Sequence, residues 1–216
     1  MRQILRLILL RGSLTTTLLL FSFISTSALR RERLIDTWRP THYEVWVTLN
    51  TALTEISSAR VDIDIRAEKR LSLVDLDFSD LTTDAVSVNG KPVSYTHRSD
   101  KLEITLADPV PAGNTITVSV QYHGKPIDGL ILSSDKDGKR SAIGDNWPDR
   151  VHHWIPCFDH PSAKATVSFH VTAPGVAEVV ANGRLDTVQN NPNNTRTWTY
   201  NEGAPIPPYC MIIGVG

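Results

Sequence analysis

Asp145–Val171 reads DNWPDRVHHWIPCFDHPSAKATVSFHV, and the way this stretch divides decides the fold class. From Ala165 onward it alternates as a half-buried strand does, with Ala165, Val167, Phe169 and Val171 on one face and Thr166, Ser168 and His170 on the other. Before Ala165 it carries Pro148, Pro156 and Pro161, each of which fixes its own φ and pushes the preceding residue toward extended geometry. The stretch is therefore a stiff loop feeding a strand, not a helix. Into that loop crowd His152, His153 and His160, one of the two cysteines (Cys157) and two of the five tryptophans (Trp147 and Trp154).

Working outward, the period stays at two almost everywhere. Tyr43, Val45, Val47 and Leu49 alternate with polar partners, as do Val61, Ile63, Ile65 and Ala67. Leu71 to Phe78 continues the pattern with a phase change near Val74 that predicts a bulge. Asn89-Gly90, set between Ala85–Val88 and Val93–Thr96, is a hairpin signal, because both residue types tolerate the positive φ that tight hairpin turns demand. Further strands are predicted at Leu102–Leu106, Thr115–Tyr122, Leu130–Ser133, Ala165–Thr172, Val176–Ala181, Thr195–Tyr200 and Tyr209–Val215. No segment after residue 28 has the periodicity of a helix longer than a turn or two. The expected fold is all-β, an antiparallel β-sandwich or saddle-like sheet domain.

The chain opens with Arg2, Arg6 and Arg11, then an apolar run from Leu14 to Ile24, then the small residues Thr26-Ser27-Ala28. That order is the one expected of a secretory signal peptide over residues 1–28. A membrane anchor is the competing reading, but the run is shorter than the ~20 residues of a spanning helix and is diluted by threonine. Residues 29–41 are charged and irregular and read as a leader; residues 42–216 read as the folded domain. Removing residues 1–28 takes away three arginines and no acid, moving the formal charge from −1 to about −4. A net acidic chain makes nucleic acid an unsuitable partner. With 41% hydrophobic residues the remainder can bury a core without staples. Cys157 and Cys210 can pair in an exported chain or serve as small core residues, and sequence gives no distance between them.

The ligand-type side chains invite a metal reading, since His152, His153, Cys157, Asp159 and His160 lie close together. Against it, catalytic zinc sites commonly mount two histidines one helical turn apart, and this loop is proline-broken. No histidine in the chain is followed by glutamate, so H-E-x-x-H does not occur. A Cys157–His nucleophile pair is disfavoured because Pro156 and Phe158 flank the thiol with apolar bulk. Phosphate-cradling glycine loops and a G-x-S-x-G elbow are absent from the sequence. On the residues alone, Trp154, Ile155, Cys157 and Phe158 pack, while Asp159 and Ser162 bond turn amides. Asn193-Asn194-Thr195 matches a glycosylation acceptor and equally an exposed turn.

Trp154, Ile155, Pro156, Cys157, Asp159, Pro161, Lys164 and Ala165, followed by Ala181-Asn182-Gly183 and by Tyr209 to Val215-Gly216, form a series that resembles the amino-terminal β-domain of the zinc aminopeptidases related to aminopeptidase N. The segments RPTHYEVWVTLN and LEITLADPVPAGNTITVSVQYHG are similar to that family's opening strands, so the resemblance spans residues 39–216. It implies a secreted or periplasmic enzyme that removes single residues from the free amino end of peptides, with zinc as its cofactor.

The family's zinc ligands and general base sit on an H-E-x-x-H helix in a domain that follows this one. The resemblance therefore implies that these 216 residues lack the catalytic domain, are inert alone, and stop near the last strands of an incomplete sheet. On that reading Met211, Ile212, Ile213 and Val215 are expected to be partly exposed. In relatives a glutamine or glutamate about nine positions before the motif proline helps bind the substrate's α-amino group. Here that count lands on Trp147, which has no such group, leaving Asp145 and Asn146 as substitutes or as turn caps. A stand-alone secreted β-sandwich binding module is the alternative.

Overall fold

In the computed structural model, which describes residues 35–216, the alternating runs become fifteen strands. They are β1 (Trp38–Leu49), β2 (Ile56–Ala67), β3 (Leu71–Asp77), β4 (Thr82–Val88), β5 (Lys91–Pro92), β6 (Tyr95–Arg98), β7 (Lys101–Val110) and β8 (Thr115–Gly124). The chain continues through β9 (Leu130–Ser134), β10 (Arg140–Gly144), β11 (Ala165–Pro174), β12 (Val179–Ala181), β13 (Arg184–Asn190), β14 (Thr195–Ile206) and β15 (Ile213–Val215). Helix is limited among the described residues to two single 3-10 turns, Val151–His153 and Pro208–Cys210. Residues 1–28, the expected signal peptide, lie outside the described residues.

Three sheets result: an eight-stranded sheet in the order β13-β14-β11-β1-β2-β8-β4-β5, a four-stranded sheet β12-β15-β10-β9, and a three-stranded sheet β3-β7-β6. Tyr43, Val45 and Val47 of β1, Val61, Ile63 and Ile65 of β2 and Val118, Val120 and Tyr122 of β8 are all buried. They share one core cluster with Val74, Leu76, Leu102 and Ile104 of the three-stranded sheet and Ala142, Val179, Ile213 and Val215 of the four-stranded one. The opposite face of the large sheet stays polar. There Glu44 of β1 bridges His42 and His170, and Trp46 stacks on His170 with Arg60 over its other side. Burial holds Glu44 up, but the two histidines outweigh it and lower its pKa.

The architecture matches the expected saddle-like sandwich, with four differences of detail. First, β1 and β11 run parallel, Tyr43 opposite Val167 and Val45 opposite Phe169, within otherwise antiparallel sheets. Second, β1 begins at Trp38, inside the segment read as leader, because Trp38 is buried against Phe158. Third, the final strand covers only Ile213–Val215 and lies between β12 and β10, so Met211, Ile213 and Val215 are buried and Ile212 alone of that group is exposed. Fourth, after the Asn89-Gly90 turn the partner strand is Lys91–Pro92, and the chain then leaves for the three-stranded sheet at Tyr95. Asn89 and Gly90 have φ of 49° and 76°, the positive pair of a two-residue hairpin. The phase change near Val74 corresponds to a register shift between Leu71 and Leu73.

Candidate functional site

The loop between β10 and β11 is held by a short list of buried contacts. Asp77, at the end of β3, exchanges backbone hydrogen bonds with Cys157: Asp77 N–H donates to the Cys157 carbonyl at 2.7 Å, and Cys157 N–H donates back at 3.0 Å. The Asp77 carboxylate also accepts from Asp159 N–H at 2.9 Å and pairs with Lys101 of β7. Asp159, its side chain almost wholly buried, accepts from His152 N–H at 3.2 Å and meets His152 Nδ1 at 2.8 Å. Phe158 N–H donates to the hydroxyl of Tyr43 on β1 at 3.3 Å. The motif thus ties the three-stranded sheet, the loop and the large sheet together.

Its apolar members fill the space so enclosed. Trp154, Ile155, Pro156, Cys157 and Phe158 are buried, whereas Pro161 and Lys164 are exposed where the loop turns into β11. Burial pushes the Cys157 thiol well above its ordinary pKa, with Asp159 and Asp77 adding to the effect. A thiol kept neutral and inaccessible is packing material, not a nucleophile. Cys157 and Cys210 are both free. Ser162 bonds the His160 ring in place of a turn amide.

Asn146 is the polar centre of the upstream half. Only 2% exposed, it accepts from the Trp154 indole N–H at 2.8 Å and donates through Nδ2 to the carbonyl of Met211. Both ends of its amide are occupied by buried groups. Asp145 points outward and pairs with Arg150 at 2.7 Å, and Arg150 also reaches Asp128 at 3.1 Å. The hydrogen bond that Arg150 donates to Asp145 raises the Arg150 pKa further. Asp145 N–H donates to the carbonyl of Gly129 at 2.7 Å, and Gly129 has φ +72° with the Arg150 carbonyl 2.1 Å from where a Cβ would stand. Only glycine fits there. Trp147, 65% exposed, meets Tyr209 edge-on with ring centroids 5.1 Å apart. Nothing in the local pattern marks Asn146 as a buried hub, since its partners are 8 and 65 residues away.

The histidines of the loop are likewise engaged. His153 contacts Asp80 and Ser79, and His160 contacts Ser162. Burial lowers the His152 pKa, but Asp159, aided by Asp77 and Asp149, outweighs it and the net shift is upward. Among the described residues no three His, Cys, Asp or Glu side chains are placed to hold one metal ion. The donor set of this loop, paired internally and including a buried neutral thiol, does not fit zinc.

What the loop and the sheets define is a scaffold domain whose exposed rim, Asp145 and Trp147 on either side of the buried Asn146, stands over a locked motif. Residues 39–210 match the family described as Peptidase M1 N-terminal domain, and the chain belongs to that family. It is 25% identical over 175 residues to leukotriene A-4 hydrolase of Xenopus laevis, covering 74% of this chain and 28% of that protein. To leucine aminopeptidase 2 of Vanderwaltozyma polyspora it is 27% identical over 166 residues, 70% of this chain and 24% of the other. The crystal structure of an M1 zinc metallopeptidase from Deinococcus radiodurans superposes with a TM-score of 0.75 at 28% identity, covering 83% of this chain and 42% of that one. The chain therefore spans about a quarter of the length of these curated relatives.

Proposed function

We propose that this chain is the amino-terminal domain of a secreted or periplasmic zinc aminopeptidase, acting on the free amino end of peptides once joined to a catalytic domain that supplies the metal. The observation that carries the reading is the family match over residues 39–210 together with the shared fold. A second feature supports it: Ile131, Ile143 and Val180 are exposed on the outer face of the four-stranded sheet, in one cross-strand row over Gly214. Contiguous exposed apolar surface of this kind is a place for another domain to pack. In this role the chain holds no zinc itself and is inert alone, since the chemistry that zinc supplies, activating a water for attack on the peptide carbonyl, needs ligands this loop does not offer.

Within the loop, Asp145 is the carboxylate available to a substrate's α-amino group, with Arg150 as the cation it would exchange for that group. Asn146 serves that rim by holding its backbone in place. The test is activity on aminoacyl-arylamide substrates. The chain with added zinc is expected to show no turnover above buffer, and the polypeptide encoded in frame through the next domain is expected to show chelator-sensitive turnover. Chelator-sensitive hydrolysis by the chain alone would overturn the proposal.

The alternative, a stand-alone secreted interaction module, draws on the burial of Met211, Ile213 and Val215, which leaves the terminal strand with a closed core of its own. Absence of any H-E-x-x-H sequence downstream in frame would favour it.

A further inference from the structure

The eight-stranded sheet finishes differently at its two ends. At one end stands β5, two residues long, whose Lys91 and Pro92 give a neighbouring strand a charge to desolvate and one N–H fewer to pair with. At the other stands β13, seven residues long, every one exposed, without lysine or proline. Its neighbour among the described strands is β14 alone. Its single cation, Arg184, is neutralised by Asp186 at 2.8 Å. One edge is blunted and the other is open.

The side chains of β13 fall on two faces that its pairing with β14 identifies. Leu185 lies opposite Tyr200 and Val188 opposite Trp198, both residues of the core face. Arg184, Thr187 and Gln189 lie opposite Asn201, Thr199 and Thr197 on the polar face. A register shift between Leu185 and Thr187 accommodates Asp186 as the extra residue, and this puts two core-face residues three apart in sequence instead of two. Leu185 is 45% and Val188 43% exposed, because the core face continues to the edge while its cover does not.

We infer that β13 is the surface through which a second copy of this chain continues the sheet, by antiparallel pairing of β13 with β13. Setting Leu185 of one copy opposite Val188 of the other also sets Val188 opposite Leu185, as a two-fold axis requires. The same register puts Arg184 opposite Gln189 and Asp186 opposite Thr187, so apolar meets apolar on the core face and polar meets polar on the other. No like charges stand directly opposite each other, and the two Asp186 carboxylates that flank the axis each keep Arg184 and Asn201 of their own copy as partners. A regular extended peptide cannot make this match, since its side chains repeat every two residues and the apolar pair here is spaced by three. The second copy carries the same bulge and therefore the same spacing.

The test is the mass of the protein, purified as the cell produces it, by sedimentation equilibrium up to on the order of 100 μM. A concentration-dependent dimer is expected, and Val188→Lys should weaken it by about tenfold or more by placing two cations in the shared core. Ile127→Lys, at an exposed position in the loop between β8 and β9, should leave it unchanged. Independently of whether Val188→Lys folds, Thr187→Cys in a Cys210→Ser background should form a disulfide-linked dimer on oxidation, since residues flanking the axis fall within the ~4.4–6.8 Å Cα reach of a disulfide. A protein that stays monomeric throughout that range, a dimer lost with Ile127→Lys but kept with Val188→Lys, or failure of the Thr187→Cys cross-link would each overturn the inference.

Discussion

Replacing Asn146 by alanine tests the central claim about the loop, that its upstream half hangs on one buried amide. The substitution strips the acceptor from the Trp154 indole N–H and the donor from the Met211 carbonyl. Trp154 and Met211 are themselves buried, so water cannot take over without opening the core. A buried polar group left without its partner costs about 1–3 kcal/mol, which puts Asn146→Ala at about 2–6 kcal/mol in all. That is a large part of the ~5–15 kcal/mol that holds a domain of ordinary stability together.

The two contributions can be separated. Trp154→Phe removes the indole N–H, so in that background Asn146→Ala should cost about 1–3 kcal/mol less than in the wild-type chain. Urea unfolding followed by circular dichroism on the wild type, both single variants and the double variant gives all four free energies. If Asn146→Ala lies within about 0.5 kcal/mol of wild type, or if the cycle closes with no coupling, then Asn146 does not hold the loop and the assignment of the rim to Asp145 alone loses its basis.

Other expectations follow from the same contacts. His152 has its folded pKa raised above the ordinary value of 6.5, so the stability it contributes is fully present below the unfolded pKa and is lost as pH rises through the folded one. Titration of its ring protons by NMR should show that upward shift, and Asp159→Asn should remove most of it. Glu44 has a lowered pKa, so its contribution is present above the ordinary carboxylate range and is lost as pH falls through its folded pKa. Gly183→Ala should destabilise by about 2 kcal/mol or more in a thermal melt, because Gly183 has φ +85° and the Asn201 carbonyl sits 2.1 Å from the position of an added Cβ. With a thiol reagent, Cys210 should react in the native protein and Cys157 only after unfolding; equal native rates would contradict the buried, neutral thiol.

The sequence carried most of the core strands because the large sheet has one wet face. Along β1, β2 and β8 each buried residue is followed by a wetted or partly wetted one, β11 departs from this only at the buried Ser168, and period two records the pattern directly. Where both faces of a strand meet solvent, or where a strand is very short, the record fails. β13 is exposed along its whole length and shows no alternation, and β10 is five residues containing serine and glycine, so neither was legible. The parallel partner of β1 was also hidden, since alternation fixes the face of a strand and not its neighbour. At the candidate site the packing of Trp154 through Phe158 could be read from their apolar character and the flanking prolines. The roles of Asp77 and Asn146 could not, because each acts on groups far away in sequence.

The parallel pairing of β1 with β11 sets an order on folding. His42 and Thr166, side by side in the finished sheet, are separated by 124 residues of chain. Until Ala165–Pro174 has been made, β1 can zip onto β2, and β2 onto β8, but its other edge stays open with the backbone unpaired. At a synthesis rate of about 5–20 residues per second that interval lasts on the order of 10 s. Closing so distant a contact also places the domain among high-contact-order, slow folders. A nascent chain of this kind leaves that edge of β1 unpaired throughout the interval, so a transcript broken before codon 165 would yield a polypeptide that aggregates rather than one that merely lacks a strand.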